Sequence, residues 1–209
     1  MSHGRYSTGA VCFRFLRGST VAILLPVRKV VRMAMKNVFV FCAWNKRARA
    51  NYRKTILNPI PEKSVLACFP AERHAELRAW REAAGGFFAW GFRGGQRSIT
   101  MWRGLEAGDC VLGFFEEHYR AVARLVGKEQ NGFFAQSMWG SVSGDTEGWK
   151  NILFLSKPCE VAVPAAALCP YLCSTYRGGT RIARKRIDRI VEDFGSLDAF
   201  IGRHFGGAL

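Results

Sequence analysis

Acidic residues are the scarce class in this sequence. The 209 residues hold 16 aspartates and glutamates against 31 lysines and arginines, a net charge of +15. The shortage leaves no paired-carboxylate signature for acid–base work, and the carboxylates present stand mostly beside arginines. Histidine is scarcer still, with four in all, far apart in the chain. Gly-x-Ser-x-Gly, a phosphate-binding glycine loop and His-x-Glu with a cysteine pair are all missing. Glu116-Glu117-His118 is the one acid-rich stretch with a histidine, and it reads as a hairpin turn at a strand end. No apolar run reaches the roughly 18 residues that a membrane span requires. These absences point away from any recognisable class of catalytic site and from a membrane partner.

Cysteine is present but does not pair up. The seven are scattered, and Cys42, Cys68 and Cys110 sit inside apolar runs, where a free thiol acts as a small hydrophobe. This reads as a reducing compartment and a cytoplasmic protein. Cys169 and Cys173 have a spacing a zinc ion could use, but no second Cys or His pair completes a site. Neither a metal nor a cofactor is expected.

What the sequence does have is basic charge and aromatic rings. Aromatics make up 13% of the residues, and 49% are apolar, enough for a real core. Phosphates take the charge and bases take the rings, so the combination favours nucleic acid as a partner.

Residues 1–35 form a basic leader with Arg5, Arg14, Arg17, Arg28, Lys29 and Arg32 and no acidic residue. Its apolar residues keep no period. Two explanations stand: a disordered basic arm, or a leader that is not native, with the natural start at Met33 or Met35. Without its six charges the rest still carries +9. STVAILLPV faintly imitates a signal peptide, but no small-residue cleavage site follows it.

From Asn37 the pattern becomes globular. NVFVFCAW predicts a buried strand, and WNKRARANYRK a loop and a helical turn. SVLACF predicts a second strand. AERHAELRAWREAA predicts a helix ended by Gly85-Gly86. Gln96 to Leu105 is a short helix, Gly108-Asp109 a turn, CVLGFFE a central strand and YRAVARLVGK its neighbour. EQNGFFAQSMWGSVSGDTEGW reads as a long aromatic loop, and such loops are usually functional. NILFLSKP and the segment around Val161 and Val163 are further strands. ARKRIDRIVEDFG and SLDAFIGRHF are helices, the second with Ser196 as its N-cap. Residues 36–86 form an α/β portion packed on a domain at 87–205.

The order of motifs in that domain resembles the PUA-like superfamily, in its EVE and YTH-like branches. The residues that carry the resemblance are Trp90-Gly91-Phe92-Arg93, then a helix, then Leu105-Glu-Ala-Gly-Asp109-Cys-Val-Leu, Tyr119-Arg-Ala-Val-Ala-Arg124 and Trp149-Lys-Asn-Ile-Leu-Phe. It spans about Phe87 to Phe194. It implies an α+β fold, a small mixed sheet or partial β-barrel with flanking helices. It also implies a pocket for one extruded, often methylated base, with a Trp at the start of a helix as one wall.

That wall is Trp90 here. The long loop supplies the other, with Trp139 first and Phe133 or Phe134 next. Asn45 and Asn131 are candidates for reading the base edge. Trp80 and Trp102 fit core packing, and Trp149 fits either role. Arg93, Arg97, Arg177, Arg181, Arg184 and Lys185 are candidates for the nucleic-acid backbone. Such domains serve as the specificity part of modification-dependent restriction systems, joined to or partnered with a nuclease, though no nuclease motif occurs in this chain. Two alternatives stand beside this non-enzymatic reading: an RNA-binding or RNA-modification factor of the same fold, and a small nucleotide-acting enzyme with an unrecognised site. DNA and RNA are not told apart.

Overall fold

The computed structural model describes residues 35–140, 148–176 and 178–206. Its framework is a seven-stranded mixed sheet. β1 (Val38–Cys42) runs parallel to β3 (Cys110–Phe115), with Val38 opposite Cys110 and Cys42 opposite Phe114. β3 is central and continues antiparallel into β4 (His118–Gln130). The first part of β4 also pairs with β6 (Cys159–Pro164), and its last part pairs with β5 (Asn151–Leu155). β5 pairs in turn with β2 (Phe88–Phe92), and the two-residue β7 (Thr180–Arg181) pairs with β1. The resulting order is β2-β5-β4-β3-β1-β7, with β6 beside β4.

Every residue of β1 is buried, because its two faces serve different cores. Val38, Val40 and Cys42 face α6 (Arg184–Phe194) and α7 (Leu197–Phe205), which contribute Ile187, Ile190, Phe200 and Ile201. Phe39 and Phe41 turn the other way and meet Phe88, Trp90 and Phe92 of β2. β1 and β2 share no hydrogen bonds, so the sheet must curl to bring these rings together. It is a partial barrel whose seam is closed by aromatics instead of a ladder.

β2 alternates as strictly as β1. Phe88, Trp90 and Phe92 line the interior. Ala89 faces outward with Ile152 and Phe154, under a layer of Val65, Leu77, Phe134 and Trp139. That layer comes from α2 (Glu62–Leu66), α3 (His74–Ala84) and α5 (Gly132–Trp139). The interior is flanked by α1 (Lys46–Tyr52), through Ala48 and Tyr52, and by α4 (Gln96–Arg103), through Met101 and Trp102.

Three sequence expectations are corrected. The SVLACF stretch is α2 and a turn, not a strand. Pro61 pre-sets the entry to the helix, and Val65 and Phe69 are buried four residues apart, a helical spacing. The long aromatic stretch is not all loop, since β4 runs to Gln130 and α5 follows. Asn131 caps α5, its Oδ1 accepting from Phe134 N at 2.8 Å, and the glycines at 132 and 140 mark the helix ends. Trp90 does not start a helix: it sits in the middle of β2, and α4 begins at Gln96. The Ser196 cap is as expected, with Oγ accepting from Ala199 N at 3.0 Å.

Candidate nucleic-acid interface

The aromatic seam leaves a cleft of about 340 Å³ beside the free edge of β2. Four stretches of chain meet there. The end of β1 and the start of α1 bring Cys42, Trp44, Asn45 and Ala48. The end of β2 brings Trp90 to Arg93, and α4 brings Ser98. Trp149 enters just before β5, and Gly178 and Gly179 just before β7.

Three tryptophans give the cleft its character, and they differ in exposure. Trp90 is 4% exposed and lies against Phe41, with centroids 4.3 Å apart and planes 22° from parallel. Trp149 is half-buried and stands 5.9 Å from Trp90 at 58°. Trp44 is 69% exposed, an unusual position for so large an apolar group. A flat ligand entering the cleft would meet two fixed rings and cover a third.

Two glycines are fixed by close approach. A Cβ on Gly91 would stand 2.3 Å from Cζ3 of Trp139 and 2.7 Å from the carbonyl oxygen of Trp149. A Cβ on Gly179 would stand 2.9 Å from Cζ of Phe39 and 3.2 Å from Cε of Met101. Both keep the backbone low beside the cleft.

The polar groups are few. Asn45 caps α1, its Oδ1 accepting from Ala48 N at 2.7 Å, which commits the oxygen and leaves the amide NH₂ as the donating end. Burial pushes the Cys42 thiol up, and backbone hydrogen bonds at Trp44 and Gly178 partly oppose this, so it stays a neutral, small group in the wall. Arg93 lines the cleft and is exposed, as is Arg97 one residue before Ser98.

Not every cation is available for a ligand. Arg47 donates to the carbonyls of Trp139 (2.9 Å) and Gly140 (3.2 Å), and Lys54 to that of Met138 (2.6 Å), so both satisfy the C-terminus of α5. Lys128 does the same for α4, donating to Trp102, Arg103 and Leu105. Burial lowers the Lys128 ammonium from its ordinary value.

No protein-family model matches this sequence, and no curated protein matches it. Among solved structures, the chain is similar to the N-terminal domain of Thermococcus gammatolerans McrB bound to m5C DNA. The TM-score is 0.51 and the identity 12%, over 77% of this chain and 98% of that one. The chain has the fold of that domain, which is PUA-like. The YTH domain of a Zygosaccharomyces rouxii protein, in complex with N6-methyladenosine RNA, has a TM-score of 0.42 at 14% identity, over 79% of this chain and 91% of that one.

On this fold the expected site residues are distributed unevenly. Trp90, Asn45 and Arg93 line one cleft, with Arg97 beside it. Trp139 does not line it. It is 5% exposed on the outer face of β2, its Nε1 donating to Thr55 Oγ1 at 3.3 Å and its ring 6.1 Å from Trp149. Phe134 is fully buried beside it, 5.8 Å ring to ring, while Phe133 is 65% exposed on the helix surface. Asn131 is occupied as the cap of α5, and its Nδ2 donates to the carbonyl of Cys68 at 2.8 Å. Arg181 is exposed on β7, with its guanidinium beside Gly104 at the end of α4. Arg184 and Lys185 open α6, Arg184 paired with Asp188 at 2.8 Å. Arg177 and residues 1–34 of the leader lie outside the described residues, while Met35, its last residue, is buried in the core.

Two cleft tryptophans, Trp44 and Trp149, are not among the pocket residues that the sequence points to. Trp44 closes the run NVFVFCAW, and an apolar run that ends in Trp-Asn-Lys-Arg marks where the chain leaves the core for a charged surface. Trp149 fits core or cleft by sequence. Its position just before a buried strand, after a segment with three glycines from 140 to 148, is the same kind of signal.

Among the described residues, no group of three or more His, Cys, Asp or Glu side chains could hold a metal ion. Cys169 is exposed and Cys173 half-buried, both as free thiols. No helix among these residues is long and apolar enough to cross a membrane.

Proposed function

We propose that this chain is a non-enzymatic reader of a modified base in nucleic acid. The observation that carries the reading is the cleft where Trp44, Trp90 and Trp149 meet at the seam of the barrel. A base drawn out of its stack loses stacking energy, and an aromatic wall returns about 1–3 kcal/mol per base. A methyl group shielded by the rings adds about 0.8 kcal/mol. The Asn45 amide donates to an acceptor on the base edge, and Ser98 offers a hydroxyl. Arg93, Arg97 and Arg181 take neighbouring phosphates, with Arg184 and Lys185 farther along. Trp139 acts from behind, as the ring that holds β2 and Trp149 in place.

The McrB domain was solved with m5C DNA, and its likeness in fold supports the same ligand class for this chain. In this reading the chain is the specificity part of a modification-dependent restriction system and works with a nuclease, in the cytoplasm. The test is a panel of matched oligonucleotides, with and without methylated cytosine or adenine, as DNA and as RNA. The expected result is at least tenfold tighter binding of one modified member. Equal affinity across every modified and unmodified pair overturns the reading. Preference for a modified RNA moves the partner from restriction to an RNA factor.

A further inference from the structure

α4 opens at the cleft and leads away from it. Ser98, in its first turn, lines the cleft, and its last residue, Arg103, is followed by Gly104. A second stretch of chain covers the same ground. Gly178 and Gly179 line the cleft, and Arg181, two residues on, has its guanidinium beside Gly104. A Cβ on Gly179 would stand 3.2 Å from Cε of Met101, so the two stretches also meet midway. The surface they share begins at the cleft and ends where Arg181 meets the end of α4.

This surface carries uncommitted positive charge. Gln96, Arg97, Thr100 and Arg103 are the exposed residues of α4, and the helix holds no carboxylate. Arg97, Arg103 and Arg181 are all exposed, and none of their side chains makes a hydrogen bond or ion pair with a described residue. The negative groups nearby are already answered. Lys128 holds the carbonyls of Trp102, Arg103 and Leu105, which covers the negative pole of the helix. Glu106, the first carboxylate after α4, is bound to Lys36 at 2.9 Å. A guanidinium without a partner is a fork for phosphate or carboxylate oxygens. The row starts at an aromatic cleft that takes a flat ring, and nucleic acid is the polyanion whose charges are joined to flat rings. An acidic peptide would use the arginines and leave the cleft idle.

We propose that the strand on one side of the extruded base leaves the cleft along α4, and that Arg103 and Arg181 together hold its phosphates at the far end. The inference rests on the base-reader reading and gives the bound strand a direction. Arg97 takes the phosphate next to the cleft. From Arg97 to Arg103 the helix rises about 9 Å, the length of two to three stacked nucleotides at about 3.4 Å each. The contact is therefore short and one-sided. It reads no base, since phosphates are the same along every sequence.

The experiment uses single strands of about six nucleotides. One probe carries the methylated base that wild type prefers, cytosine or adenine, at its 5′ end, and another carries it at its 3′ end. Each is also made with neutral methylphosphonate linkages and in unmethylated form. Arg103→Ala and Arg181→Ala are expected to weaken the same one of the two end-placed strands by about threefold or more, with its log–log salt slope lower by about one. The other strand, and the neutral-linkage form of the affected one, are expected to stay within about twofold of wild type. Thermal midpoints should match wild type, since neither guanidinium has a partner to lose. Equal weakening of both strands, of neither, or of the neutral-linkage strand to the same extent overturns the proposal. So does an effect of the two arginines on opposite strands, or of one arginine alone. If wild type prefers no methylated strand over its unmethylated form, the base-reader reading falls, and this inference with it. If that preference holds while the two variants bind as wild type does, only this inference falls.

Discussion

Trp90 lies nearly parallel on Phe41, 4.3 Å between ring centroids, although their strands share no hydrogen bond and three strands separate them in the sheet. The stack is both a piece of core and a wall of the cleft. Stability and recognition therefore meet in one side chain, and the two roles can be separated by comparing it with Trp44.

Trp90→Ala is expected to cost about 3–5 kcal/mol in urea unfolding, as large-to-small changes in a tight core do. Trp44→Ala, at the mouth, is expected to stay within about 0.5 kcal/mol of wild type, as surface changes do. It should weaken a modified oligonucleotide about tenfold while leaving unmodified binding unchanged. Unaltered discrimination in Trp44→Ala would remove that ring from the site.

Gly91→Ala tests the support behind the wall. The added methyl would meet the Trp139 ring and the Trp149 carbonyl at distances that no packed structure tolerates, so β2, α5 or the segment before β5 must shift. Loss of about 1–3 kcal/mol or more is expected, together with weaker selective binding in the fraction still folded. Thermal melts and oligonucleotide titration on the same sample read both.

The charges divide by position. Binding should weaken steeply as salt rises, and Arg93→Ala and Arg97→Ala should each reduce the log–log slope by about one. Arg47→Ala should chiefly lower the thermal midpoint, because its guanidinium satisfies two carbonyls at the end of α5. Affinity measured between about 50 and 200 mM salt checks the first pair. An unchanged slope in both would take the phosphates away from this rim.

Alkaline stability follows from Tyr176. Burial pushes its phenol up to about 12, while its oxygen accepts from Cys173 N at 2.9 Å and stands 3.1 Å from the Tyr119 oxygen. The folded-state value is raised above the unfolded one near 10, so the folded state favours the protonated ring. Its contribution is fully present below about pH 10 and is lost as pH rises through 12. Thermal midpoints should therefore fall across that window. Tyr176→Phe should start lower, having lost the partner of Cys173 N, and fall less steeply. Parallel curves for the two proteins would contradict this.

Much of the chain was legible because its elements are written locally. NVFVFC and CVLGFF are too apolar to be anything but buried, and both are central strands. Ser196 and Gly85 cap helices where their chemistry demands. The basic excess depends on composition alone, and the order of motifs was enough to suggest the fold. The short runs were not decided locally. SVLACF and GFFAQSMW suit several conformations, and it was contact with β2 and β5 that made each a helix. The large–small alternation of Phe88-Ala-Trp-Gly-Phe92 is a strand pattern in plain view, but the glycines and arginines after it suggested a loop. The roles of the tryptophans belong to the tertiary structure. Trp44 and Trp139 are the same side chain, and one is bare while the other is sealed. Which ring faces the cleft depends on where a curled sheet brings distant strands together, and no local pattern encodes that distance.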